Sequence, residues 1–140
     1  MNKSTLSALF LCLIFGCAIA RSQEAVVVAN NGVKAATVSS DELRDVFTGT
    51  KSTLKDGSHV TPVTLKGGES HEAFLKKYVG KSDSAFRAGW RSLVFTGQAA
   101  MPKTFDTESA LVDYVAATPG AIGYVGKGAS NDKVKTLEVK

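Results

Sequence analysis

The chain predicts an α/β fold, a single lobe of about four strands flanked by about four helices, and three observations lead there. Short runs rich in β-branched residues, such as Ala25–Ala29 (AVVVA), end at turn signals. Between them lie segments whose apolar residues recur every three or four positions, the period of a half-buried helix. The two kinds of segment alternate along the chain, the order that layers helices on a sheet.

Residues 1–20 stand apart from this pattern. Residues 6–20 (LSALFLCLIFGCAIA) are uncharged and follow Lys3, as in a secretory signal peptide, and Ala18-Ile19-Ala20 offers a small-x-small cleavage site. An uncharged stretch of 15 residues is shorter than the roughly 20 that cross a bilayer as a helix. The expected organisation is a signal peptide, residues 1–20, and one domain, residues 21–140, that is periplasmic or secreted. Ile14-Phe15-Gly16-Cys17 also has the form of a lipobox, the alternative in which Cys17 is lipidated and retained. Both cysteines, Cys12 and Cys17, lie in this segment, so the domain holds neither a disulfide nor a thiolate nucleophile.

Each element follows from local chemistry. The first strand, Ala25–Ala29, stops at Asn30-Asn31-Gly32. Ser39 and Glu42 form a capping box that opens a helix with Leu43, Val46 and Phe47 on one side, and Gly49 ends it. Residues 50–58 are polar and contain Lys55-Asp56-Gly57, a surface loop with a tight turn. Residues 59–65 (HVTPVTL) read as a strand, with Pro62 marking a sheet edge or a strand end. A glycine-rich connection, Lys66-Gly67-Gly68-Glu69-Ser70, leads into a helix carrying Phe74, Leu75, Tyr78 and Val79.

Ser82 or Asp83 caps the next helix, with Phe86, Trp90, Leu93 and Val94 on its apolar face and Phe95-Thr96-Gly97 at its end. After a loop over residues 98–104, Asp106 is the expected cap of a helix bearing Ala110, Leu111, Tyr114 and Val115. Thr118-Pro119-Gly120 breaks the chain before the strand Ala121-Ile122-Gly123-Tyr124-Val125, and residues 134–139 (VKTLEV) alternate as a final, half-exposed strand.

Composition excludes several classes. The chain is 44% hydrophobic and 21% charged, in the range of globular domains, and its net charge of +4 is spread without a run of five like charges. No basic stripe interleaved with aromatics indicates nucleic acid. His59 and His71, the two histidines, show no metal-ligand spacing, and Ser70, Asp83 and either histidine lack the nucleophile elbow of a hydrolase. No cofactor and no catalytic residue are expected.

The residues with binding chemistry cluster at the glycine-rich connection. Free backbone amides at a helix start attract oxyanions, and Gly67 and Gly68 let the backbone approach one closely. Ser70 adds a hydroxyl, and Lys66 and His71 add positive charge or donors. A plain turn with Ser70 as helix cap explains the same residues. Trp90 at helical spacing reads as core, whereas Arg91 has three alternatives: solvent, a carboxylate partner, or a fork directed into a cleft.

The ordered set Ser40-Asp41-Glu42-Leu43-Arg44-Asp45-Val46-Phe47-Thr48-Gly49, Asp56-Gly57, Val60-x-Pro62-Val63, Ser70-x-x-x-Phe74, Trp90-Arg91-x-x-x-Phe95-Thr96-Gly97 and Pro119-Gly120-Ala121-Ile122-Gly123-Tyr124-Val125 resembles the substrate-binding proteins of phosphate ABC importers. These form a branch of the type 2 periplasmic binding protein superfamily. The resemblance covers residues 25–126 and implies one lobe of the fold, with an oxyanion held by Ser70 and the amides around Gly68, Glu69 and His71; the reading of the residues themselves adds Gly67, Lys66 and Arg91 to the candidate ligand-binding set. It also implies a non-enzymatic function, phosphate or a related oxyanion as ligand, and ABC transporter membrane subunits as partners. The alternative is an envelope interaction or structural protein that reuses the fold without a ligand. The importers' anchoring Arg has no match near Thr64 and Leu65, their second lobe is lacking, and a second copy of the chain is a candidate to complete the cleft.

Overall fold

The computed structural model describes residues 24–140; the expected signal peptide, its cleavage site and Cys12 and Cys17 lie outside the described residues. The elements in order are β1 (Ala25–Ala29), β2 (Thr37–Val38), α1 (Ser40–Phe47), β3 (Thr61–Pro62), β4 (Thr64–Leu65), α2 (Glu69–Phe74), α3 (Asp83–Phe95), β5 (Thr104–Phe105), α4 (Glu108–Ala117), β6 (Ala121–Gly126) and β7 (Lys135–Val139). Five strands form one sheet in the order β2-β7-β1-β6-β3, and β4 pairs with β5 in a separate ribbon. β1 runs antiparallel to both neighbours, with Val27 opposite Tyr124 on β6 and Leu137 on β7. β3 lies parallel to β6, β2 parallel to β7, and β4 parallel to β5. The α/β class predicted from the sequence is therefore the observed one.

The expected strand over residues 59–65 is split in two, and Val63 is the pivot. Val63 N donates to Ile122 O in the large sheet, whereas Thr64 N donates to Lys103 O beside the small ribbon. Pro62 has no N–H to offer a further strand, which fits its place on β3, at the edge of the five-stranded sheet. The result is a strand that crosses from one sheet to the other within a few residues and delivers its end, Lys66, to the glycine-rich turn.

β6 is buried along its whole length because helices cover both of its faces. Successive strand residues point to opposite sides. At Gly123 an added Cβ would lie 2.8 Å from Leu111 Cδ2 of α4 and 3.0 Å from Val63 Cγ2, so the strand and α4 approach through a missing side chain. On the other face the Tyr124 ring stacks on Phe74 of α2 at 4.0 Å between centroids, and Phe47 of α1 meets both rings edge-on. These three aromatic rings are fully buried and join α1, α2 and the sheet into one core.

The starts of α1 and α3 follow the predicted chemistry, and that of α4 is a correction. Ser39 and Glu42 make both bonds of the capping box at 3.1 Å, and Ser82 caps α3. α4 is capped by Thr107, whose Oγ1 accepts from Ala110 N at 3.1 Å, and not by Asp106; the Asp106 carboxylate lies instead 3.1 Å from Lys66 Nζ. Its buried stripe is Leu111, Val112 and Val115, with Ala110 exposed and Tyr114 half-buried against Phe105. α2 passes without interruption into a wider π-helical turn, Leu75–Val79, which Gly80 ends at φ 72°.

In α3, Phe86 and Trp90 are buried and Leu93 is half-buried, as the spacing predicts, but Val94 is exposed. At about 100° per residue, Val94 falls on the margin of the face centred on Phe86, Trp90 and Leu93, and Phe95 falls opposite it. The Trp90 indole N–H donates to Phe47 O at 2.8 Å, so the core reading of Trp90 holds.

Candidate functional site

The glycine-rich turn between β4 and α2 is held by β5 on one side and α3 on the other. Lys66 N donates to Phe105 O at 2.9 Å, which fixes the end of β4 to β5. Arg87 Nη2 of α3 donates to Lys66 O at 2.5 Å. Gly68, at φ 98°, takes the N-cap position of α2, in a backbone region that side chains rarely adopt. Gly68 therefore supplies no side-chain acceptor to the first amides of the helix, and the reading of Ser70 as cap is replaced by a glycine cap.

Gly67, Gly68, Glu69 and Ser70 line a cavity of about 270 Å³ together with Leu65, Asp106 and Glu108. Gly67, Gly68 and Glu69 are exposed, while Ser70 is buried. Lys66 leans toward Asp106 at 3.1 Å, and Glu108 accepts from Gly126 N at 2.8 Å through Oε1. The rim thus carries three carboxyl groups beside the backbone amides. Sequence reasoning missed Asp106 and Glu108 because they sit some 40 residues downstream and reach the turn only through the β4–β5 pairing.

His71 points inward. Its Nε2 lies 2.6 Å from Asp83 Oδ1, and its Nδ1 meets the Tyr124 hydroxyl in a short hydrogen bond. The Tyr124 hydroxyl also accepts from Leu65 N at 3.2 Å. Partial burial raises the pKa of Asp83, but hydrogen bonds from His71 and Arg87 and the Arg87 charge outweigh it and hold the carboxyl below the usual range. Burial pushes the Tyr124 hydroxyl upward, so it keeps its proton. An ionised carboxylate only accepts, so Nε2 donates to Asp83, while Nδ1 and the Tyr124 hydroxyl, which already accepts from Leu65 N, share the second bond.

This Leu65–Tyr124–His71–Asp83–Arg87–Lys66 circuit begins and ends on the turn and ties α2, α3 and β6 to it. Every member is engaged, and Tyr124 and His71 are essentially closed to solvent, at 0% and 1% exposure. The arrangement can shape a loop, with its Tyr and His turned away from solvent. Arg91 lies on the exposed side of α3 and, like Lys66 and His71, is not among the residues lining the cavity. Among the described residues no group of three or more His, Cys, Asp or Glu is arranged to hold a metal ion.

No known family model matches the chain, and no curated protein is similar to it. Solved structures are. One is a phosphate ABC transporter substrate-binding protein from Clostridium perfringens with bound phosphate, at a TM-score of 0.64 and 16% identity over 83% of this chain and 44% of that one. Another is PstS from Borrelia burgdorferi, at 0.64 and 12% identity over 84% and 47%. A third is an ABC-type phosphate transport receptor from Vibrio cholerae, at 0.56 and 12% over 83% and 46%. The chain therefore has the fold of part of a phosphate-importer substrate-binding protein, as the ordered motifs predict, and spans less than half the length of these three proteins.

Proposed function

We propose that the chain is a non-enzymatic, exported solute-binding module whose β4–α2 turn holds phosphate or a related oxyanion weakly, for uptake or sensing. The observation that supports this most directly is the fold likeness to phosphate receptors over more than four fifths of the chain. The local chemistry adds to it: Gly68 leaves the first amides of α2 without a side-chain cap, and exposed Gly67 and Gly68 let a ligand reach them. The working donors are backbone amides. His71 is committed to Tyr124 and Asp83, Lys66 to Asp106, and Arg91 stands elsewhere on α3, so the side chains add little charge to the site. An open, half-hydrated site with a carboxyl rim binds an anion weakly. ABC transporter membrane subunits or another envelope protein are the partners this reading calls for.

One observation favours a second reading. Glu69, Asp106 and Glu108 on the same cavity oppose an anion, as expected of a fold kept for interaction in the envelope without a ligand. Thermal unfolding of the protein titrated with phosphate, sulfate and chloride at constant ionic strength separates the two. A ligand at about 100 times Kd stabilises by roughly 2.7 kcal/mol. A rise in Tm selective for phosphate or sulfate supports binding, and a flat response through millimolar concentrations moves the assignment to the second reading.

A further inference from the structure

The exposed large apolar side chains among the described residues are Phe95, Met101 and Val94, at 94%, 47% and 42% exposure, and all fall at the end of α3 and in the loop that follows it. Residues 84–105 around them contain no Asp or Glu but three cations, Arg87, Arg91 and Lys103. Arg87 is spent on Asp83, and Lys103 lies over the Tyr114 ring at 4.8 Å. Arg91 is exposed and has no carboxylate partner among the described residues. It sits one helical turn before Phe95 and shares its side of α3. Ala88, also exposed, continues that side toward the helix start, and Ser84 ends it without a charge.

We infer that this end of α3 docks the protein on an anionic lipid surface, with Phe95 entering the interface and Arg91 meeting lipid phosphates. Two features favour a bilayer over a second copy or another protein. Three side chains expose on the order of a few hundred Å², whereas a stable protein interface takes about 800 Å² from each partner. A bilayer needs no matching shape and accepts an aromatic ring beside a cation at the headgroup level. The charge also has one sign: an unpaired cation on a carboxylate-free segment repels its own copy and is attracted by anionic headgroups. The proposal is independent of the oxyanion reading, because none of these residues lines the cavity at the glycine-rich turn.

The test is co-sedimentation of the protein, purified as the cell exports it, with vesicles of equal phosphatidylglycerol and phosphatidylcholine and with pure phosphatidylcholine vesicles. Wild type binds the anionic vesicles in a salt-sensitive manner. Phe95→Ser lowers that affinity about tenfold or more, and Arg91→Glu lowers it several-fold. Both changes are at exposed positions, and unchanged melting curves confirm that the fold is intact. No binding to anionic vesicles, or equal binding by wild type and Phe95→Ser, overturns the proposal. So does a wild-type dimer in sedimentation equilibrium that Phe95→Ser dissociates, since the patch then belongs to a second copy.

Discussion

His71 Nε2 stands 2.6 Å from Asp83 Oδ1 while the other ring nitrogen meets the Tyr124 hydroxyl, so one buried histidine bridges the start of α3 to the central strand β6. Removing either end strands a buried polar group on the other. His71→Ala deletes a ring from a site with 1% exposure and takes a hydrogen-bond partner from Tyr124. We expect a loss of about 3 kcal/mol. Tyr124→Phe leaves Leu65 N and His71 Nδ1 without their partner and costs about 2 kcal/mol. In a double-mutant cycle by urea unfolding the two losses do not add, with a coupling of about 1 kcal/mol or more. Additivity within about 0.5 kcal/mol would show that the bridge does not act as a unit.

The same bridge predicts an acid limb in stability. The folded pKa of Asp83 is lowered, so between the unfolded value, about 3.9, and the folded one the unfolded chain binds more protons than the native chain. Stability then rises with pH in that window and is lost as pH falls through it. Glu42 adds to the same limb: burial raises its pKa, but hydrogen bonds from Lys55 N and Ser39 N lower it further than burial lifts it. Asp83→Asn should accordingly be less stable at neutral pH but lose less on acidification from pH 5 to 3. Parallel wild-type and variant curves in chemical denaturation would contradict this assignment.

Gly49 and Gly57 both have positive φ, at 78° and 86°, yet they differ in what surrounds them. A Cβ on Gly49 would lie 2.4 Å from Leu93 Cδ1 and 3.1 Å from the Trp90 ring, whereas one on Gly57 meets nothing within 4 Å. Gly49→Ala combines backbone strain with a clash at the α1–α3 contact and should cost about 3 kcal/mol. Gly57→Ala suffers the strain alone and should cost about 1 kcal/mol. Comparable shifts in Tm for the two variants would mean that α3 moves aside freely.

That contrast bears on what the sequence could disclose. Periodicity and caps were legible: Ser39 with Glu42, the stripe from Leu43 to Phe47, Phe86 with Trp90, and the run that became β6 all depend on neighbours within one or two helical turns or along one strand. Gly49 was legible as a helix stop, but not as the point where Trp90 and Leu93 approach. The break at Val63 was hidden because two adjacent amides pair with strands some 40 and 60 residues away. Of the stretch 66–71 that the sequence singles out, residues 67–70 line the cavity, and the rest of its surface was illegible. His71 looks like a donor in the sequence and is turned inward by Tyr124 and Asp83, and the carboxyl rim comes from Asp106 and Glu108 in a different part of the chain.

The rim also supplies the sharpest test of the proposed oxyanion binding at the turn. Lys66 Nζ and Asp106 Oδ1 are 3.1 Å apart, and both side chains are largely exposed, so their pairing contributes little to stability and either can be changed without harm to the fold. What the pair does is tie up the charge of Lys66, which precedes the glycine-rich turn, against a carboxylate of the cavity rim. Asp106→Asn removes one negative charge from the cavity and releases Lys66 toward an incoming ligand. At an effective dielectric between those of water and a protein surface, this is worth about 1 kcal/mol to a bound anion, or roughly fivefold in Kd. Lys66→Gln removes the cation and leaves the Asp106 charge on the rim, and it should weaken binding by a similar factor. Phosphate titrations of Tm at low ionic strength read both changes. Opposite shifts for the two variants place an oxyanion at this turn; the absence of any shift in both would mean that the turn does not see the anion and that the fold serves a partner instead.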